Sequence, residues 1–237
     1  MNWLDNKIST TKDFPDYIHK LYENGGAVTF VNPFSYYIVE SNYHYDSCFD
    51  AIYIDGSSLV YAHNLLFKDS VKRRSFDFSS IATDVFNFSI KHNLSVAIVG
   101  ATHDELLAAK INLNKIYPNL DVCYSRDGYF SSESDVLKTI KEIDSSSADI
   151  LIVGMGTPYQ EDFLVSYFKE TSSRIMAFTC GGFLSQTSIR EDYYHPLIKK
   201  LGLRWLQRAV FNKHVRRRLI FDYPKFFLKY FCKAFKK

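Results

Sequence analysis

Cysteine is scarce in this chain of 237 residues, and the four present, Cys48, Cys123, Cys180 and Cys232, form no Cys-x-x-Cys pair. That argues against a zinc ribbon and a disulfide framework, and for a reduced, cytoplasmic setting. The seven histidines show no His-x-x-x-His arrangement, and Asp46, Asp50 and Asp55 make no Asp-x-Asp pair, so no metal is expected. No apolar run approaches the ~18 residues of a spanning helix. The opening stretch, MNWLDNKISTTKDF, lacks the cationic head and apolar core of a secretory leader. Any membrane contact is therefore expected to be peripheral. Also missing are the full Gly-x-Gly-x-x-Gly of a dinucleotide fold, the Gly-Lys-Ser/Thr of a P-loop and a Ser, His and Asp set at a nucleophile elbow. Dehydrogenase, P-loop and hydrolase readings fall accordingly.

What is present is an ordinary globular composition, 46% apolar and 23% charged, in a chain long enough to bury a sizeable core. The net charge of +3 hides an asymmetry. Residues 196–237 carry thirteen Lys or Arg against one acid, Asp222, a net of +12 that leaves −9 for the other 195 residues. An acidic body with a basic tail points to an anionic partner for the tail, either phosphate or a lipid surface.

The stretch from Asp149 to Glu161 organises the rest. Ile150 to Val153 is too short for a helix and too continuous for a half-exposed strand, so it reads as a buried parallel strand. It enters a turn with Gly154, Gly156 and Pro158, and Gln160 and Glu161 then open a helix. Glycines there allow close approach of a ligand, and free amides at the helix start favour an anion such as a diphosphate. An ordinary strand-to-helix turn is the alternative.

Elsewhere the pattern predicts strands at Ala27–Val31, Asp50–Ile54, Ser95–Val99, Leu120–Tyr124 and Arg174–Thr179. Helices are expected over Asp13–Glu23, Ser57–Phe67, Ile81–His92, Asp104–Ile116 and Glu133–Ile143, and a helix and turn over Phe34–Tyr45, with residues before Asp13 left as a polar lead-in. Strand and helix alternate through short connections, which is the signature of a doubly wound sheet. The fold class is thus α/β, a Rossmann-like, mostly parallel sheet, with a basic and aromatic C-terminal helical appendage. The division falls at residues 1–195 and 196–237. Asn32, Asp55, Gly100, the Gly154 to Gln160 turn and Gly181-Gly182 all fall at carboxyl ends of expected strands, where open parallel sheets bind ligands.

Asp55 emerges from the apolar run Ala51 to Ile54, where partial desolvation would raise its pKa and suit it to general-base work. It could equally cap the helix that starts near Ser57. Arg73 and Arg74 could clamp a phosphate, or be solvated loop charges. In the tail, Lys225, Lys229, Lys233 and Lys237 recur every four residues among Phe226, Phe227, Leu228, Tyr230, Phe231 and Phe235. On a helix that makes a lysine stripe beside a wide aromatic face, suited to the headgroup boundary of an anionic bilayer, with Lys225, Phe226, Phe227, Lys229, Phe231 and Lys233 as the contacts. A terminal helix packed on the core is the plainer alternative. Nucleic acid fits poorly, because the phenylalanines exceed what a phosphate-tracking helix needs.

These residues together resemble the WecG/TagA/CpsF family, glycosyltransferase family 26. The run Val153-Gly-Met-Gly-Thr-Pro-Tyr-Gln-Glu161 is similar to the family's Val-Gly-x-Gly-x-Pro-x-Gln-Glu. Asp55-Gly56, the segment Tyr117 to Phe130, Gly181-Gly182-Phe183 and Gly202 to Arg208 continue the match over roughly residues 25 to 225. The resemblance implies an inverting, metal-independent transferase that needs no cofactor. It would move a sugar from a UDP-sugar to a polyprenyl (undecaprenyl) diphosphate-linked saccharide at the cytoplasmic membrane face, in the synthesis of capsule, lipopolysaccharide or teichoic acid. It makes Asp55 the base. Asn32 and Gln160 fall where the family binds sugar, and Arg208 and Arg218 match its tail arginines, with Arg216 able to stand in for another; with Arg73, Arg74, Gly100, Gly128, Tyr129, Gly154, Gly156 and Glu161 they make up the expected donor and acceptor residues. The chain departs from the family at Leu184, His195, Arg204, Asn212, Lys213 and Val215, which leaves glucose, galactose or a uronic acid open as donor. A homo-oligomer is also open. The rivals are a membrane-associated subunit that keeps the fold without the chemistry, and a nucleotide-dependent oxidoreductase.

Overall fold

The computed structural model describes residues 1–14, 16–189 and 216–235, leaving aside the side chains at 218, 219 and 233–235. Six strands form one sheet: β1 (Gly26–Val31), β2 (Phe49–Ile54), β3 (Val96–Gly100), β4 (Tyr124–Arg126), β5 (Ile150–Gly154) and β6 (Met176–Thr179). Their order is β2-β1-β6-β5-β3-β4, and every pairing is parallel. All carboxyl ends therefore open on one rim.

The sheet is covered on both faces, which is why β3 and β5 read as unbroken apolar runs. Side chains alternate between the faces with a period of two. Val96, Ile98, Ile150, Ile152, Met176 and Phe178 join one core cluster, and Ala97, Val99, Leu151, Val153 and Ala177 the other. Helices α2 (Asp16–Asn24), α6 (Ile81–His92), α7 (His103–Ile116) and α10 (Phe183–Ile189) supply apolar residues to the first cluster. The second is closed by α1 (Trp3–Thr10), α3 (Tyr36–Ser41), α4 (Tyr45–Cys48), α5 (Ser57–Phe67), α8 (Glu133–Ser145), α9 (Tyr159–Glu170) and the terminal helix α11 (Tyr223–Phe235), which follows a π-helical turn at Arg218–Asp222. Each fully buried Leu, Ile or Phe contributes about 1.5–3 kcal/mol.

Three expectations need correction. The lead-in before Asp13 is a helix, α1, capped by the Asn2 side chain, which accepts from the Asp5 amide, with Leu4 and Ile8 buried one turn apart. The strand expected over Leu120–Tyr124 lies later in the chain as the short edge strand β4, with Asp121 O and Cys123 N already bonded to the Val96 backbone as the chain approaches it. The terminal helix also departs from the purely membrane-facing reading. Phe226 is 3% exposed and stacks on Tyr230 at 5.2 Å between centroids, with Tyr36 and Tyr37 beside it, so it belongs to the core and cannot be a membrane contact. Phe227 and Phe231 are partly buried against the same cluster. Tyr230 donates from its hydroxyl to Asp5 Oδ1 at 3.0 Å, as Tyr36 does at 2.5 Å, and the buried His63 lies 3.1 Å from the Tyr230 oxygen through Nδ1. Burial raises the Asp5 carboxyl and lowers the His63 imidazole from their ordinary values. The boundary at 195/196 and Arg208 lie outside the described residues, as do the side chains of Arg218 and Lys233.

Candidate active site

Two adjoining clefts open on the rim. The first, of about 350 Å³, lies over the exits of β1, β2, β5 and β6 and is lined by Asn32, Asp55, Arg73, Asp77, Gln160 and Thr179 among others. The second, of about 840 Å³, lies over β3 and β5 and is lined by Gly128, Tyr129, Phe130, Val136, Phe163 and three acids, Glu105, Glu133 and Asp162. Met155, Gly156, Tyr159, Gly181 and Gly182 belong to both.

Asp55 leaves the end of β2 with its backbone amide donating to Val31 O at 2.8 Å, so the strand ladder itself delivers the side chain to the rim. Helix α5 takes no side-chain cap, and the Asp55 carboxylate instead receives Arg73 Nη2 on Oδ1 at 2.8 Å. The capping alternative is therefore set aside, and the desolvated carboxylate anticipated from the apolar strand is an ion-paired one. The loop after α5 folds back beside β2: Ile54 bridges Arg73, and Arg74 N donates to Ile54 O at 3.0 Å. Consecutive residues in extended chain face opposite ways. Arg73 thus enters the cleft, while Arg74 turns away to a two-pronged pair with Asp13 at 2.7 and 2.9 Å. Placing Arg74 among the ligand-binding residues is corrected on that ground.

Asn32 makes a local turn, its Oδ1 accepting from the amides of Phe34 and Ser35 at 2.9 and 3.2 Å. Gln160 lines the cleft although only 3% exposed. Its amide is held at both ends, Oε1 accepting from Gly181 N at 3.0 Å and Nε2 donating to Glu161 Oε1 at 3.0 Å. Glu161 is fully buried and lines neither cleft, so it cannot touch a ligand as expected from its place in the motif. Adjacent helical residues point about 100° apart, which sends Gln160 to the cleft and Glu161 beneath its floor. There its Oε1 also accepts from Thr29 at 2.8 Å and Thr157 at 3.2 Å, while Oε2 is buried without a hydrogen-bond partner. Burial pushes this carboxyl up to about 7.

The glycines act through space. Gly100 and Gly154 face each other across β3 and β5, and a Cβ on Gly100 would come within 2.3 Å of Gly154 O. Gly156, at φ +76°, makes the turn that begins α9. Tyr129 is exposed at the mouth of the wider groove. Arg216 is exposed on the helical turn leading into the terminal helix. Among the described residues no group of three or more His, Cys, Asp or Glu gathers as a metal site.

The residue that sequence reasoning missed is Asp77. Its Oδ2 receives Arg73 Nη2 at 3.1 Å and Ser75 Oγ at 2.6 Å, and Oδ1 receives Ser79 N at 2.8 Å. No strand exit marks it. The available signal was its spacing of four from Arg73 in a loop already suspected of meeting phosphate.

A Rossmann-like parallel sheet whose rim carries a paired carboxylate, an anchored amide and a groove of about 840 Å³ has the layout of an α/β enzyme. The chain belongs to the WecG/TagA/CpsF family of glycosyltransferases, whose family model matches residues 2–237. It is 43% identical over 230 residues to a Shigella boydii protein named UDP-Gal:alpha-D-GlcNAc-diphosphoundecaprenol beta-1,4-galactosyltransferase, covering 96% of this chain and 94% of that protein. It is 28% identical over 117 residues to the N-acetylglucosaminyldiphosphoundecaprenol N-acetyl-beta-D-mannosaminyltransferase of Staphylococcus aureus MRSA252, covering 49% of this chain and 44% of that one.

Proposed function

We propose that this chain transfers galactose from UDP-galactose, with inversion, to a hydroxyl of N-acetylglucosamine carried on undecaprenyl diphosphate. The observation that carries the reading is the placement of Asp55 and Gln160 in one cleft that opens into a groove large enough for a nucleotide. The likeness to the Shigella boydii protein over nearly the whole chain supports the choice of sugars. UDP-galactose is an α-glycoside, and a β product requires attack from the opposite face in a single displacement. Such a step needs one base and no protein nucleophile. Asp55 takes the proton of the acceptor hydroxyl as that oxygen bonds to the anomeric carbon, and the bond from that carbon to the diphosphate oxygen breaks with its electron pair leaving on UDP. Asn32 and Gln160 hold the sugar in the narrower cleft. The uridine occupies the wider groove against Tyr129, and the diphosphate lies between them, near the start of α9, whose dipole favours negative charge.

The exposed side of the terminal segment bears Arg216, Arg217, Lys225 and Lys229 beside Ile220, Phe221 and Leu228. Among the described residues no helix is long and apolar enough to cross a membrane. We infer a peripheral seat on the anionic inner face of the cell membrane, where the lipid-linked acceptor is presented. The test is to incubate the purified chain with UDP-galactose and an α-N-acetylglucosaminyl-diphospholipid, follow UDP release, and assign the product linkage by NMR. A faster reaction with UDP-glucose or UDP-N-acetylmannosamine would overturn the donor, and absence of any transfer would overturn the reaction.

A further inference from the structure

Arg73 carries two carboxylates. One guanidinium nitrogen, Nη2, reaches Asp55 Oδ1 at 2.8 Å, Asp77 Oδ2 at 3.1 Å and Ser75 Oγ at 2.7 Å. All three charged side chains are largely withdrawn from water, Asp77 most of all at 14% exposed. Asp77 is itself fixed by its neighbours, with Ser75 and Ser79 donating to its two oxygens. Other titratable residues lining this cleft are Tyr159 and the buried Cys180, and Arg73 is the sole cation among the described residues that line it. Arg74 faces Asp13, and Glu161 lies below the floor behind Gln160.

Resting on the transfer reaction above, we propose that Asp77 is a positioning residue for the base: it holds Arg73 beside Asp55 and supplies the negative charge that lets Asp55 accept the acceptor's proton. Before the step, one guanidinium stands between two carboxylates and the trio has a net charge of −1. Afterwards Asp55 is neutral, and Arg73 remains paired with Asp77. With Asp77 absent, protonating Asp55 would strand a partly buried guanidinium without a counter-charge, which is costly, so Asp55 would hold its proton less readily and serve as a weaker base. For this scheme Asp77 must stay ionised throughout. Burial works against that, but the Arg73 charge and the Ser75 and Ser79 donors together hold its carboxyl below the usual range.

The experiment compares full-length wild type, Asp77→Asn, Asp77→Ser and Ser79→Ala across pH 4 to 8, measuring kcat/KM for transfer. Both substitutions at Asp77 retain an oxygen that can accept from the Ser79 amide, so the local turn survives in at least one of them. The expected result is a rate reduced roughly 3- to 10-fold at neutral pH, with the acid limb of the profile displaced downward by about one pH unit. Ser79→Ala removes one hydroxyl donor to Asp77 but keeps the amide donor and the Asp77 charge, so its limb should move less than that of either Asp77 variant. A reduced rate with an unmoved acid limb would assign Asp77 to structure alone and overturn the proposal, as would a limb moved upward. Asp55→Asn, run alongside, separates the two ideas: if it retains turnover, the base assignment fails, and if it is inactive while the Asp77 limb stays put, only the role of Asp77 fails.

Discussion

The two clefts share a rim and differ in almost everything else. The narrower is built from charge and anchored polar groups: Asp55, Arg73 and Asp77 in one chain of contacts, and Gln160 fixed by Gly181 and Glu161. The wider is more apolar, walled by Phe130, Val136, Met155 and Phe163, with exposed tyrosines at its mouth. Electrostatic control is strongest where water is limited and groups cannot reorganise, so the narrower cleft suits bond-making and the wider one suits holding a flat, largely invariant part of the substrate. On the transfer reading proposed above, chemistry and affinity fall to different strand exits.

The sharpest way to break that comparison is Asp55→Asn. It should lower kcat by roughly 10²- to 10⁴-fold while UDP-galactose affinity by calorimetry changes little. Equal losses in both would mean that the narrower cleft binds the donor as much as it catalyses. The terminal helix, whose described side chains line neither cleft, supplies the contrast: Phe226→Ala should cost about 3–5 kcal/mol in urea unfolding, because a buried ring leaves a cavity between Tyr36, Tyr37 and Tyr230. Exchanging both Lys225 and Lys229 for Glu should spare most of that stability but release the protein from anionic vesicles in co-sedimentation.

Beneath the narrower cleft, Glu161 has a folded value near 7, raised by burial above its ordinary 4.5. The folded state then binds more protons than the unfolded one between those limits, so the Glu161 contribution is complete below about pH 4.5 and is lost as pH rises toward 7. Glu161→Gln, which keeps the shape, should make stability decline less over that window, by up to about 3 kcal/mol at pH 7. Parallel wild-type and variant unfolding curves across pH would contradict it. The smallest effect belongs to the groove: Tyr129→Ala should weaken UDP binding about 3- to 10-fold and leave kcat nearly intact, as befits a single aromatic contact.

Much of this was legible in the residues because strand exits are local. Ile54 followed by Asp55, and Val153 followed by Gly154 to Gln160, announce buried strands that end in polar turns, and parallel pairing then puts both on one rim. The anchoring of the terminal helix was less legible. Phe226 and Phe227 look alike in sequence, and only the docking of α11 against α1, α3 and α5 separates a core ring from a partly exposed one. Helix α1 was missed because a single pair, Leu4 and Ile8, carries its periodicity.

The chain's alternation of short apolar runs with helical segments was enough to determine a parallel α/β sheet and the acid at its rim, since each follows from neighbours within a few residues, while the Val153 to Glu161 motif carried the resemblance to its family. Which of two adjacent arginines serves the cleft, why Glu161 lies beneath it while Gln160 faces it, and the pairing of one guanidinium with both Asp55 and Asp77 were decided by tertiary structure. Those depend on how a loop folds back along β2 and how α9 is rotated on the sheet, and side-chain direction across such long-range contacts is set by packing rather than by local preference.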